Sequence, residues 1–376
     1  MPTLTGLDVL LQDKLSLLKN KRVALITNPT GVTRELRSNI DALRAAGANL
    51  VALYSPEHGI AASAGAGENV ESGIDARTGL PVYSLYGNIR KPTAEMLVNV
   101  DALLFDLQDV GARFYTYTAT LGLALEACAE NRVPLIVLDR PNPINGATIE
   151  GPVLDPALQT FVGYGAIPVR YALTLGELAR FYNQTNRAEL RVIEMRRWTR
   201  GMWYDETKLS FVPPSPNMPH LSTAIVYPGM CLLEGTNFSV GRGTALPFEI
   251  FGAPFVDGSA LAEELNAQKI DGARFRPAAF TPSASKYANE NCFGAQIHVT
   301  DRDALRPVTM ALEIIAALKR IYSAQFEWNA RGFDRLMGDA RVREWIDRGE
   351  KINVSQWTVG HNEFRKKRAA CLLYAE

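Results

Sequence analysis

Cysteine and histidine are scarce in this chain, with four of each among 376 residues. Cys128, Cys231, Cys292 and Cys371 lie far apart and form no Cys-x-x-Cys pair, which excludes a disulfide scaffold and a zinc site and leaves ordinary core thiols. An excess of charge of either sign is also missing, since Lys plus Arg and Asp plus Glu number 40 each. No global field gathers nucleic acid or an anionic membrane, so an anionic ligand has to be met locally. Long apolar runs are lacking too: residues 102–105 and 135–138 fall far short of the roughly 20 residues that cross a bilayer, and no membrane span is expected. The opening Met-Pro-Thr-Leu-Thr-Gly has no basic and then apolar pattern of a signal peptide. As it stands the sequence reads as cytoplasmic, or as periplasmic or secreted if an export segment has been removed. There is no internal repeat and no low-complexity tract.

A glycine fingerprint is the last absence. The first expected strand, 23–27, ends in Asn28-Pro29-Thr30-Gly31, which is neither G-x-G-x-x-G nor a Walker loop. Without those glycines the backbone cannot approach a pyrophosphate in the usual way, so no nucleotide cofactor is expected, and a nucleotide-dependent oxidoreductase is a distant reading.

What is present is an alternation of short apolar runs and amphipathic stretches. Strands are expected at 23–27, 49–54, 81–85, 101–105, 133–138 and 189–195. Helices are expected at 33–46, 93–98 and 119–130, with another opening at the capping box Thr174-Leu175-Gly176-Glu177. Parallel strands joined by right-handed crossovers share one carboxyl edge. The expected fold class is therefore α/β, with a Rossmann-like N-terminal domain over 1–205. A smaller α/β domain over 206–376 has helices at 259–267 and 307–322 and strands at 273–279 and 293–299, and an interdomain cleft lies between the two. The length exceeds what one core usually fills. Four prolines within 211–220 make that segment either a linker or a rigid cleft wall. Residues 61–80, rich in glycine and small residues, are either an active-site lid or a plain surface excursion.

Acids recur where strands end, and in open α/β sheets ligands bind beyond those ends. Strand 49–54 stops at Ser55-Pro56 and hands over to Glu57 and His58. Strand 101–105 runs into Asp106, Gln108, Asp109, Arg113, Tyr115 and Tyr117. Strand 133–138 delivers Asp139, Arg140 and Asn142. Glu57 is the first candidate for proton transfer; its alternative is a solvated loop acid. Carboxylates beside aromatic rings suit a sugar, while Asp106 and Arg113 could equally be a structural ion pair. Gly241-Arg242-Gly243 exposes a guanidinium suited to a carboxylate or phosphate, or is simply a turn.

Taken together, Ser55-Pro56-Glu57-His58-Gly59, the run 105–117, Leu138-Asp139-Arg140-Pro141-Asn142-Pro143, Pro214-Ser215-Pro216-Asn217 and Glu234-Gly235-Thr236-Asn237 through Gly241-Arg242-Gly243-Thr244 resemble the exo-β-N-acetylmuramidase family of bacterial cell-wall recycling. The resemblance runs from about residue 6 to the C-terminus. It implies release of β-linked N-acetylmuramic acid from the non-reducing end of peptidoglycan fragments, without metal or cofactor, and it makes Glu57 the catalytic acid. Expected with it are His58, Asp106 and Asp109 in catalysis. Arg113, Tyr115, Asp139, Arg140, Asn142, Asn217, Asn237 and Arg242 are expected to bind the saccharide. Two departures stand out: Ile60-Ala61-Ala62 replaces an aromatic, an Arg and a Gly, and Tyr171 follows Arg170 where relatives often carry His. Altered specificity, a catalytically weakened member or a two-domain sugar-binding protein are the alternatives.

Overall fold

The computed structural model describes every residue except 66, 69, 70 and 376. The segment 61–80, expected to be either a lid or a surface excursion, therefore lies partly outside the described residues.

Strands β1 (Arg22–Thr27), β2 (Asn49–Ser55), β3 (Gly73–Ile74), β4 (Pro81–Ser84), β5 (Ala102–Asp106) and β6 (Leu135–Leu138) come first. After the two-stranded ribbon β7 (Glu150–Val153) and β8 (Pro168–Arg170), β9 (Leu190–Ile193) completes a seven-stranded sheet of order β3-β4-β2-β1-β5-β6-β9. All its pairings are parallel except β3 with β4. The chain is thus an α/β protein with a Rossmann-like sheet, as the alternation of runs implied.

Burial follows the two-residue period of a strand. Val23, Leu25, Leu53, Leu104 and Leu138 point to one face and join Leu7 and Leu43. Ala24, Ile26, Tyr54, Leu103, Phe105 and Val137 point to the other. That second face is covered by helix Tyr117–Asn131, through Leu121 and Leu125, and its apolar cluster continues into Tyr227, Phe248 and Ile314 of the later chain. Strands this short, buried on both faces, read as continuous apolar runs.

The later chain forms an antiparallel sheet of order β10-β12-β11 from β10 (Ile250–Ala253), β11 (Ala273–Phe280) and β12 (Cys292–Val299). Helix Leu221–Met230 crosses helix Pro307–Ile321 so closely that a Cβ on Gly229 would lie 1.8 Å from the Pro307 carbonyl oxygen. Among the described residues no helix is long and apolar enough to cross a membrane.

One expected helix is shorter than its apolar spacing implies. Residues 33–38 form a turn closed by the Val32–Ser38 bridge, and the helix starts only at Asn39. Leu36, whose spacing fits the apolar stripe of a helix over 33–46, takes φ 64° and is 54% exposed. The Thr33 hydroxyl accepts from the Arg37 amide, a local bond that competes with helix extension.

Candidate functional site

Glu57 follows β2 in a sharp turn. His58 adopts a left-handed φ of 71°, a conformation that costs a side-chain residue stability unless its surroundings hold it. They do: the His58 Nδ1–H donates to the Ala64 carbonyl at 2.8 Å, which fixes the proton on Nδ1 and leaves Nε2 free. This turn sends the Glu57 carboxyl back under the sheet edge, where it is 7% exposed. Its Oε2 accepts from the Thr116 hydroxyl at 2.6 Å and its Oε1 from the Gly67 amide at 3.2 Å. Tyr86 lies beside it, its phenol pushed up to about 12 by burial and by the Glu57 charge.

Glu57, His58 and Thr116 open onto a cavity of about 160 Å³ whose other walls are Phe114, Tyr115, Ser215, Asn217, Met218, Tyr227, Glu234, Arg242 and Phe248, with Val162, Cys231 and Leu336. The proline-rich segment is thus a wall of the cavity. It is tied down where the Tyr117 hydroxyl donates to the Pro214 carbonyl at 2.7 Å and accepts from Asn28 at 2.6 Å. One side is a run of edge-to-face rings: Tyr117 to Tyr115 at 4.8 Å, Tyr115 to Tyr227 at 5.9 Å and Tyr227 to Phe248 at 4.8 Å. Such rings offer a stiff apolar wall at low conformational cost.

Arg242 ends that run. Its guanidinium carbon sits 4.9 Å from the Phe248 ring centroid, and its Nε–H donates to Glu234 Oε1. Burial works against its charge and Glu234 more than offsets this, so the guanidinium titrates above its ordinary value. No protein group pairs with its two Nη atoms among the described residues. Among the described residues Glu57 and Glu234 are the two carboxylates lining the cavity.

The other expected residues are placed differently. Asp106, fully buried, pairs with Arg140 (Nε to Oδ1 2.6 Å) and accepts from Asn39 at 2.8 Å; the Asp106–Arg113 pair does not form. Arg113 is also fully buried and donates to four carbonyls, those of Pro152, Ile167, Leu336 and Met337, at 2.8–2.9 Å. With no acid beside it, burial pulls its pKa down to about 9. Asp139 accepts from Thr174 at 2.7 Å, the Gly176 amide at 2.7 Å and Tyr374 at 2.5 Å, while burial raises its pKa to about 7. Asn142 bridges the Leu173 carbonyl and the Ile144 amide, and Asn237 bridges Gln325 and Glu327. None of these six lines the cavity.

Asp109 lies one layer behind the wall. Its Oδ2 accepts from Tyr171 and from the Gly111 amide, its Oδ1 is buried without a partner, and burial raises its pKa to about 6. Tyr171 is thus the residue that fixes Asp109.

Several cavity residues were not singled out from sequence. Thr116 and Glu234 stood inside quoted motifs; Tyr227, on an apolar helix, carried no signal beyond hydrophobicity. Cavity size alone would have misled: a wider hollow of about 730 Å³ along helix Pro307–Ile321 is lined by charges such as Lys319 and Asp347 that pair with one another. Among the described residues no cluster of His, Cys, Asp and Glu could hold a metal ion.

Residues 23–222 match the family model described as exo-beta-N-acetylmuramidase NamZ, N-terminal, and residues 225–374 match its C-terminal counterpart. The peptidoglycan beta-N-acetylmuramidase NamZ of Bacillus subtilis (strain 168) is 46% identical over 98% of this chain and 91% of that protein. Two crystal structures of DUF1343 family proteins from Bacteroides fragilis superpose with TM-scores of 0.92 and 0.82, at 38% and 30% identity. The first pairing covers 99% of both chains and the second 100% of both.

Proposed function

The chain belongs to the exo-β-N-acetylmuramidase family, and from that premise we propose that it removes β-linked N-acetylmuramic acid from the non-reducing end of peptidoglycan fragments, with Glu57 as the proton donor. Residues 1–205 are read as the lobe that supplies the acid and residues 206–376 as the lobe that supplies Arg242.

Hydrolysis of a glycoside requires a carboxylic acid that protonates the departing oxygen. The observation that carries the assignment is the burial of Glu57 in the cavity wall with Oε2 on the Thr116 hydroxyl. A hydroxyl can donate to a carboxylate or accept from a carboxylic acid, so Thr116 holds Glu57 in one place before and after it gives up its proton. His58 acts on the turn through its bond to Ala64. The aromatic run supports a sugar face. The cavity, at about 160 Å³, is smaller than the about 300–1,000 Å³ usual for ligand clefts, which suits one terminal ring rather than a strand in mid-chain.

Muramic acid differs from glucosamine by a lactyl ether bearing a carboxylate. Among the described residues Arg242 is the Lys or Arg side chain of the cavity wall, and its Nη atoms, which no described group pairs with, are suited to that carboxylate.

Glu57→Gln keeps the shape of the side chain and removes its acid. With a chromogenic β-N-acetylmuramide, kcat is expected to fall by about 10²–10⁴-fold with KM little changed, the usual range for loss of a general acid. Turnover at the wild-type rate would remove Glu57 from the mechanism.

A further inference from the structure

Arg242 is held by more than its partner. Lys286, in the turn between β11 and β12, donates to three main-chain carbonyls of the loop that carries Glu234: those of Glu234 (3.1 Å), Thr236 and Phe238 (3.3 Å). From the same turn, Ser283 donates twice to the Gly243 carbonyl, from its amide at 3.0 Å and its hydroxyl at 2.8 Å. The loop is thus fastened on both sides of Arg242. Burial lowers the pKa of Lys286 while Glu234 opposes the shift. Among the described residues the Lys286 side chain makes no ion pair with a carboxylate, so its contacts are those of a staple for backbone.

Arg242 itself is fixed at Nε by Glu234 and across one face by Phe248, and among the described residues neither Nη atom has a protein partner at the cavity. A free arginine side chain has several rotatable bonds whose freedom a ligand must suppress on binding. Here that ordering is complete before a ligand arrives. A planar fork with two parallel N–H donors then faces the cavity, the arrangement that meets a carboxylate with two hydrogen bonds.

We infer that Glu234 and Lys286 are positioning residues for sugar selection: Glu234 sets the plane of the Arg242 guanidinium, and Lys286 sets the loop that presents both. This rests on the reading of Arg242 as the group that receives the lactyl carboxylate. Glu234 acts through Arg242 and takes no part in breaking the glycosidic bond.

The test compares a chromogenic β-N-acetylmuramide with the same compound carrying its lactyl group as the methyl ester. Rates are normalised to the folded fraction from a melting curve. Wild type is expected to prefer the free acid, and Arg242→Gln to abolish the preference. Glu234→Gln is expected to reduce it roughly tenfold or more through KM, the scale of one charge-assisted hydrogen bond. Lys286→Met should move it the same way, and Lys286→Arg should restore part of it. If Glu234→Gln lowers kcat equally on acid and ester, Glu234 belongs to the bond-breaking chemistry and the inference is overturned. Preference kept in Glu234→Gln and Lys286→Met but lost in Arg242→Gln overturns the positioning role alone. Preference kept in Arg242→Gln overturns the reading of the site on which it rests.

Discussion

Asp109 carries a charge problem that the fold does not solve. One carboxylate oxygen has two donors, the other has none, and burial raises the pKa from 3.8 to about 6. A carboxyl whose folded pKa lies above its unfolded value contributes stability that is complete below the unfolded pKa and is lost as pH rises through the folded one. Asp109→Asn cannot ionise. Relative to that variant, the wild-type unfolding free energy is expected to fall between about pH 4 and pH 7, by on the order of 3 kcal/mol for a shift of this size. Urea denaturation across that range checks it, and parallel pH profiles for the two proteins would sink it. Glu57 was legible in the sequence because an apolar run, a proline and an acid in succession mark a strand's exit. Thr116 was not, because its role depends on a contact 59 residues away. Asp106, Arg113, Asp139 and Arg140 were visible as a crowd of polar groups, yet sequence does not say which acid meets which cation. Nor does it say that a guanidinium will be spent on four carbonyls.

Strands were the most legible elements, since alternate residues of a doubly buried strand are both apolar and the run stands out against its polar flanks. Helix starts were less so. The apolar spacing of Leu36, Ile40 and Leu43 is satisfied whether the helix begins at 33 or at 39, and the local Thr33–Arg37 bond decides. In helix Leu221–Met230, why glycine stands at 229 emerges only from the crossing with helix Pro307–Ile321. Gly229→Ala would press a methyl group into the Pro307 carbonyl. The helices must part, and Tyr227, two residues away, moves with them. A loss of about 1–3 kcal/mol in unfolding free energy is expected, as for other overpacked contacts, together with a raised KM from the displaced cavity wall. An unchanged melting temperature and unchanged KM would mean that this crossing adapts freely.

At the scale of the whole molecule, the last residues return to the elements around β6 and β8. Arg368 donates to the Ala172 carbonyl at 2.7 Å and the Leu373 amide to Glu177 at 2.9 Å. The Tyr374 hydroxyl donates to Asp139 at 2.5 Å, with its ring edge-on to Trp198 at 5.0 Å. Trp345, Trp357 and Phe364 are buried on the way. This closure was not legible, because nothing in the composition of the tail names Asp139 as its target. Tyr374→Phe takes one donor from a buried carboxyl and is expected to cost about 1–3 kcal/mol, measured by urea denaturation. Deleting residues 372–376 should cost more. If the deletion leaves the midpoint unmoved, the strap contributes nothing to the fold.

That closure also sets a timetable. Asp139 and Tyr374 are 235 residues apart, so at roughly 5–20 residues per second a ribosome makes the aspartate wait on the order of 10–50 seconds for its partner. Until then β6 ends in a carboxyl group short of one donor, and the mostly parallel sheet has to wait for its last fastening until the final residues of the chain are made.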